Sequence, residues 1–267
     1  MSRLRITVLG CGASPGVPRI GGDWGACDPS NPKNRRRRCS ILVQALDDDD
    51  QATNVLVDTS PDIREQLLDA GIGSLDGVLY THAHADHIHG IDDLRAFWIN
   101  TGDRVAIYAD QSTLERLHEA FGYCFETPAG SAYPPILQAN EIRNREALTI
   151  NGAGGALLCL PFDQQHGSIS CLGFRFGGFA YSPDVSGLDD DAIGALKDLD
   201  VWLVDALRRK PHPSHFSLGE TLEWIERINP KRAILTHMHV DLDYETLCRE
   251  LPSDVEPAYD GMVIELS

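Results

Sequence analysis

Residues Thr81–Gly90 read THAHADHIHG, which places four of the chain's 10 histidines and an aspartate within one short stretch. The apolar run GVLY (77–80) leads straight into it and reads as a buried strand. His82 and His84 lie two apart, so on an extended segment they project to the same side. After a turn, Asp86 and His87 can face a second centre close by. Imidazole and carboxylate donors together suit a divalent transition metal such as zinc or manganese. A rigid strand ending in an open loop is a good base for such a site.

The same arrangement recurs at other strand ends. VLVDTSPD carries Asp58, LPFDQQHG carries His166, and FAYSPD ends in Asp184. PHPSHFSLGE carries His212 and His215, and AILTHMHV carries His237 and His239. Each residue alone has an ordinary explanation as a satisfied polar group. Together they put metal-type donors after apolar runs along the whole chain, as a centre assembled from several loops requires. His89, His212 and His239 read as outer or solvent-facing residues, and His118 as structural in an amphipathic helix.

Strands are expected at 5–10, 40–45, 54–59, 76–82, 104–109, 155–162, 171–176, 178–184, 201–207, 232–237 and 261–266. Helices are expected at 60–71, 91–99, 112–121, 189–199, 217–228 and 244–251. For the first helix, Ser60 suits the N-cap, Pro61 the N1 position and Gly71 the C′ position. Ser217 and Glu220 have capping-box spacing. LDDDD (46–50) reads as a solvated hairpin tip. No linker or composition break divides the 267 residues, so residues 1–267 are expected to form one α/β domain.

The net charge is −17. So acidic a surface repels polyanions and argues against a stable complex with long nucleic acid. The basic block NRRRR (34–38) reads either as a solvated loop or as an anchor for an anionic substrate group. The turn GCGASPGVP (10–18) could offer backbone N–H groups to a phosphate. No apolar run reaches the roughly 20 residues of a membrane span. The N-terminus has no long apolar stretch of the signal-peptide kind. Seven scattered cysteines without a Cys-x-x-Cys fit reduced thiols. A cytoplasmic location follows as an expectation.

His-x-His-x-Asp-His after a buried strand, with His, Asp and His following in order, resembles the metallo-β-lactamase superfamily over essentially the whole chain. LGCGASPGVP, RRRRCS, PSHFSLGE, AILTHMHV and YDGMVIEL resemble most the PhnP phosphodiesterases, and more distantly ribonuclease Z. The resemblance implies an αββα sandwich with metals at one edge of the sheets. It implies that His82, His84 and His166 hold one metal and Asp86, His87 and His237 another. Asp184 would bridge them, His215 would be the added histidine of the phosphodiesterase members, and Asp58 the acid that orients the motif loop. PhnP enzymes also carry a cysteine cluster and a later histidine for a structural zinc. Here only Cys27 remains, with Val240 at the histidine's place, so two metals and no third are expected.

The activity implied is hydrolysis of a small phosphodiester, such as a cyclic nucleotide or ribose cyclic phosphate. Two divalent ions, zinc or manganese, would share a water, lower its pKa and deliver hydroxide to phosphorus. His215 would protonate the leaving alkoxide or stabilise phosphoryl charge, and Asp184 would take part through the metals. The alternatives are a ribonuclease Z-like nuclease, hydrolysis of a lactone, thioester or β-lactam, and a metal-binding accessory protein without turnover. A homodimer is compatible with the sequence.

Overall fold

The computed structural model describes residues 3–266. The first half runs β1 (Arg3–Gly10), β2 (Ser40–Leu46), β3 (Ala52–Val57), α1 (Ile63–Asp69), β4 (Gly77–Leu79), α2 (Ala85–Ile88), α3 (Arg95–Thr101), β5 (Val105–Ala109), α4 (Gln111–Phe121) and β6 (Leu137–Glu141). The second half runs β7 (Leu148–Gly152), β8 (Gly155–His166), β9 (Ile169–Phe176), β10 (Phe179–Ser182), α5 (Asp190–Ala195), β11 (Val201–Asp205), α6 (Leu218–Ile228), β12 (Arg232–Thr236), α7 (Tyr244–Glu250), β13 (Val255–Pro257) and β14 (Val263–Leu266).

The strands form two seven-stranded mixed sheets, ordered β14-β1-β2-β3-β4-β5-β6 and β13-β12-β11-β10-β9-β8-β7. Side-chain alternation decides which residues fill which layer. In β2 and β3, Ile41, Val43, Val55 and Val57 point to the other sheet and meet Phe162, Phe174, Trp202 and Ile234. Their neighbours Leu42 and Leu56 point outward and pack with Leu67, Ile88, Phe97 and Leu117 from the helices. The result is helix, sheet, sheet, helix. Burying each such side chain contributes about 1.5–3 kcal/mol, so both faces of the first sheet are strongly specified.

Several sequence expectations are refined. Ser60 and Pro61 lie outside α1, whose N-cap is Asp62. The Ser60 hydroxyl instead bonds Gln66 Oε1 and accepts from Asp62 N. Gly71 does take the left-handed conformation expected past that helix (φ 66°). The capping box of α6 is formed as read. Strands β6, β7 and β13 are additional, because short half-exposed runs lack a clear apolar signature. Cys27, Val17 and Val240 pack with Trp24 in a small apolar cluster.

Strands β3 to β6 are mutually parallel, as are β10 to β13. Loops leaving their carboxyl ends therefore gather on one edge of the sandwich. That is the usual place for a site in a sheet of this kind.

Candidate metal centre

Six of the candidate residues sit at or just past a strand end. Asp58 follows β3, His82 follows β4, His166 ends β8, Asp184 follows β10, Asp205 ends β11 and His237 follows β12. Asp58 and His237 both hold left-handed backbone conformations (φ 65° and 55°). Non-glycine residues rarely do so unless the surroundings fix them. Here Asp58 N donates to Leu79 O at 2.8 Å, and Met238 N donates to Cys11 O at 2.9 Å.

The structure brings the expected residues into three overlapping groups: His82, His84, His166 and Asp184; Asp86, His87 and His237; and Asp184, His215 and His237. Within each, the donor atoms lie inside 4.8 Å of one another. Asp184 joins the groups by dividing its carboxylate. Its Oδ2 lies 3.8 Å from His82 Nε2, 3.6 Å from His166 Nε2 and 3.9 Å from His215 Nε2. Its Oδ1 lies 3.1 Å from His87 Nε2 and 3.6 Å from His237 Nε2. Asp86 Oδ2 completes the second side, 3.4 Å from His237 Nε2 and 3.5 Å from His87 Nε2. Most of these side chains are buried, while His84 is exposed at the rim.

Outer hydrogen bonds aim the rings. His87 Nδ1 donates to Asp58 Oδ2 at 2.7 Å, and Thr81 donates to both oxygens of the same carboxylate. His82 Nδ1 lies 3.0 Å from the Thr81 hydroxyl. His166 Nδ1 donates to Ser214 O at 2.6 Å. In each case Nε2 is left for the centre, which is how such outer partners act on metal-binding imidazoles.

Two residues that the sequence did not single out also bear on the centre. Asp205 accepts from His215 Nδ1 at 2.7 Å and from Val185 N at 3.1 Å, both on Oδ2. Its only sequence signal is position, since WLVD mirrors the VLVD that carries Asp58. Ser14 donates to Asp86 Oδ2 at 2.6 Å. Arg19 reaches the ring of His239, which turns away from the cluster toward Asp241. The 10–18 turn does not offer the backbone cradle expected of it. The N–H groups of Gly12, Ala13, Gly16 and Val17 are already bonded to carbonyls. His89 packs edge-on against Phe121 and His118 lies tilted against Phe125, while His212 lies 5.2 Å from the His215 ring.

The residues fit a cation. His82 Nε2, His87 Nε2 and Asp184 Oδ1 are buried polar atoms that make no hydrogen bond among the described residues. Such groups are costly unless something else satisfies them. Burial pushes His82, His84 and His215 below their ordinary pKa and brings His166 down to about 4. Burial opposes ionisation of Asp184, yet His237 and His87 hold it well below the usual carboxylate range. Neutral imidazoles facing ionised carboxylates are the forms that bind metal. His87 is pushed down by burial but held above its ordinary value by Asp184, Asp58 and Asp86. Burial raises the Asp205 carboxyl above the usual carboxylate range, against the opposing pull of His237.

A profile of the beta-lactamase superfamily domain matches residues 53–238. The chain belongs to the metallo-β-lactamase superfamily. This superfamily member is 37% identical to a diphosphatase of the PhnP family of known structure, with a TM-score of 0.88, covering 99% of this chain and 97% of that one. It is 33% identical over 264 residues to an octanoyltransferase of Porphyromonas gingivalis, covering 97% of this chain and 51% of the relative. The chain thus spans about half the length of that curated relative. The human short-form tRNase Z shares the fold, at 16% identity and a TM-score of 0.66, over 97% of this chain and 98% of that one. Superfamily membership and the donor clusters make this a metal-dependent hydrolase.

Proposed function

We propose that the chain is a binuclear phosphodiesterase acting on small phosphodiesters of the cyclic-nucleotide or ribose-cyclic-phosphate type. The observation that carries this is the division of Asp184, with one oxygen toward His82 and His166 and the other toward His87 and His237. His82, His84 and His166 would hold one ion, Asp86, His87 and His237 the other, and Asp184 both. Two divalent ions bound there would supply Lewis acidity to water and to the phosphoryl oxygens. Likeness to a PhnP-family diphosphatase supports phosphorus over carbon as the reacting centre.

The chain's own residues do the rest. Asp58 and Thr81 fix His87 and His82 so that neither ring can turn. Asp205 holds the proton of His215 on Nδ1 and leaves Nε2 facing the centre beside Asp184. Burial keeps His215 from carrying a second proton until an anionic phosphate sits beside it. It then gives that proton from Nε2 to the leaving alkoxide.

Acyl transfer, suggested by the name of the longer relative, has less support. Six of the seven cysteines are buried, and burial pushes the thiols of Cys11, Cys39, Cys159 and Cys171 up, away from the nucleophilic thiolate. The test is turnover of bis(p-nitrophenyl) phosphate by metal-loaded protein, beside a thioester, a lactone and a chromogenic β-lactam. Diester hydrolysis is expected to dominate. A thioester or lactone preferred over the diester would sink the proposal.

A further inference from the structure

The basic run at 34–38 holds one arginine that is neither solvated nor free to anchor a substrate. Arg36 is 1% exposed. Its Nη1 donates to His239 O at 3.3 Å, and its Nη2 donates to Leu242 O at 2.6 Å and to Asn34 Oδ1 at 3.4 Å. Its backbone pairs with Val17 in both directions, each bond 2.9 Å long. The side chain therefore crosses from the 10–18 turn to the loop that follows β12. Arginine suits this because one rigid fork can serve several carbonyls at once.

Both segments bear on the same half of the centre. The loop after β12 begins with His237, and the turn holds Ser14, whose hydroxyl donates to Asp86 Oδ2 at 2.6 Å. His237 is also the buried imidazole that most needs its backbone held. The Nδ1 atoms of His82, His87 and His166 have partners at 3.0, 2.7 and 2.6 Å. Nδ1 of His237 makes no hydrogen bond among the described residues, and Asp205 Oδ1 is 3.9 Å away. With no outer partner to aim the ring, its direction follows from the backbone, which is left-handed (φ 55°). A non-glycine residue keeps that conformation only where its surroundings impose it. Here Met238 is bonded to Cys11 and Ala13, His239 N donates to Leu207 O, and Arg36 fixes the carbonyls of His239 and Leu242.

We infer that Arg36 is the positioning residue for one half of the centre: binding of an ion by Asp86, His87 and His237 depends on it, and binding by His82, His84 and His166 does not. Thr81 and Ser214 hold the rings of His82 and His166 without passing through Arg36 or residues 237–242. The inference rests on the proposed two-ion reading and adds separate supports for the two ions.

The test is zinc binding by the metal-free full chain, read by elemental analysis after dialysis at fixed free zinc and by competition with a chromophoric chelator. Wild type should bind two ions. Arg36→Met fills the space but offers no donor. It should weaken one ion by about ten- to a hundredfold, the usual effect of losing an outer partner, while the other keeps its affinity. Arg36→Lys should weaken that ion less, since an ammonium still offers donors to a carbonyl. Paired variants identify the ion. Asp86→Ala leaves the half built on His82, His84 and His166, and adding Arg36→Met should not change the affinity that remains. His84→Ala leaves the other half, and adding Arg36→Met should weaken it as in the single variant. Circular dichroism and thermal unfolding check that the variants are folded. Ile150→Ala serves as the control, because it truncates a core side chain packed on Gly77, at the end of β4 away from His82. It should lower the unfolding temperature and keep both zinc affinities. An Arg36→Met protein with both affinities intact or both weakened equally would overturn the inference, as would the same selective loss in Ile150→Ala. A wild type that binds a single ion would overturn the two-ion reading together with it.

Discussion

Asp205→Asn and Asp205→Ala together test whether Asp205 and His215 work as a unit. Both hydrogen bonds of Asp205 converge on Oδ2, from His215 Nδ1 at 2.7 Å and Val185 N at 3.1 Å. In Asp205→Asn the amide oxygen can occupy that position and keep both contacts, so only the charge is lost. A hydrogen bond to a charged group contributes about 1.5–3 kcal/mol and a neutral one about 0.5–1.5. Protonated His215 should therefore lose roughly 1–2 kcal/mol of support, and turnover that depends on its proton should fall roughly five- to thirtyfold. Asp205→Ala removes the acceptor altogether. Val185 N is then buried without a partner, and the imidazole can turn. The loss should approach the full share of general acid catalysis, about 10²–10⁴-fold. The assay is kcat on a 2′,3′-cyclic nucleotide, whose leaving alkoxide is basic, and on bis(p-nitrophenyl) phosphate, whose leaving phenolate hardly needs a proton. The cyclic substrate should suffer far more. Combining Asp205→Ala with His215→Ala should cost little beyond His215→Ala alone, since residues acting as a unit are not additive. Multiplied losses in the double variant, or equal losses on both substrates, would refute the reasoning.

Elemental analysis of protein purified without chelator should find close to two divalent ions per chain, and Asp184→Ala should reduce both; retention of two ions at near-normal rate would assign the bridge elsewhere. His215→Ala should keep its metal content while losing turnover of the cyclic substrate, and a lost ion would make His215 a ligand, as its place beside Asp184 and His237 also permits. The acidic chain should process a nucleotide-sized diester with a higher kcat/KM than a precursor tRNA, measured at physiological salt, and efficient precursor cleavage would favour the nuclease alternative. Asp260→Ala should lower stability to urea by about 1–3 kcal/mol, because Arg37 N at 2.8 Å and Cys11 N at 3.2 Å both lose their acceptor; an unchanged midpoint would show that water replaces the carboxylate.

Local pattern revealed much of this, and through-space relations revealed the rest. His82, His84, Asp86 and His87 are legible because their spacing is itself the geometry of a strand end and one helical turn. His166, Asp184, His215 and His237 are legible because each ends or follows an apolar run. Asp205 escaped because its role is a contact with His215 across a buried turn, which no spacing encodes. The arginines at 35–38 look alike in sequence, yet loop packing buries Arg36 and leaves Arg35 exposed. Ser60 is not the N-cap of α1; its hydroxyl accepts from Asp62 N, at the N-cap position, and donates to Gln66. The helix register was set by packing of Ile63 and Leu67 against the first sheet rather than by the cap.

The first sheet closes only when its last strand arrives. β1 pairs with β2 on one side and with β14 on the other, with Leu4 opposite Leu266. Asp260, just before β14, ties down Cys11 and Arg37, and Cys11 leads into the Ser14 turn beside Asp86. A chain emerging from the ribosome can thus assemble the His82–His87 motif early, while one wall of the centre waits for residues 260–266. Closing a loop of this length costs only a few kcal/mol of entropy, but contacts so distant in sequence form late. Nascent protein would hold the histidines of residues 82–87 before residues 260–266 arrive to fix Cys11 and Arg37.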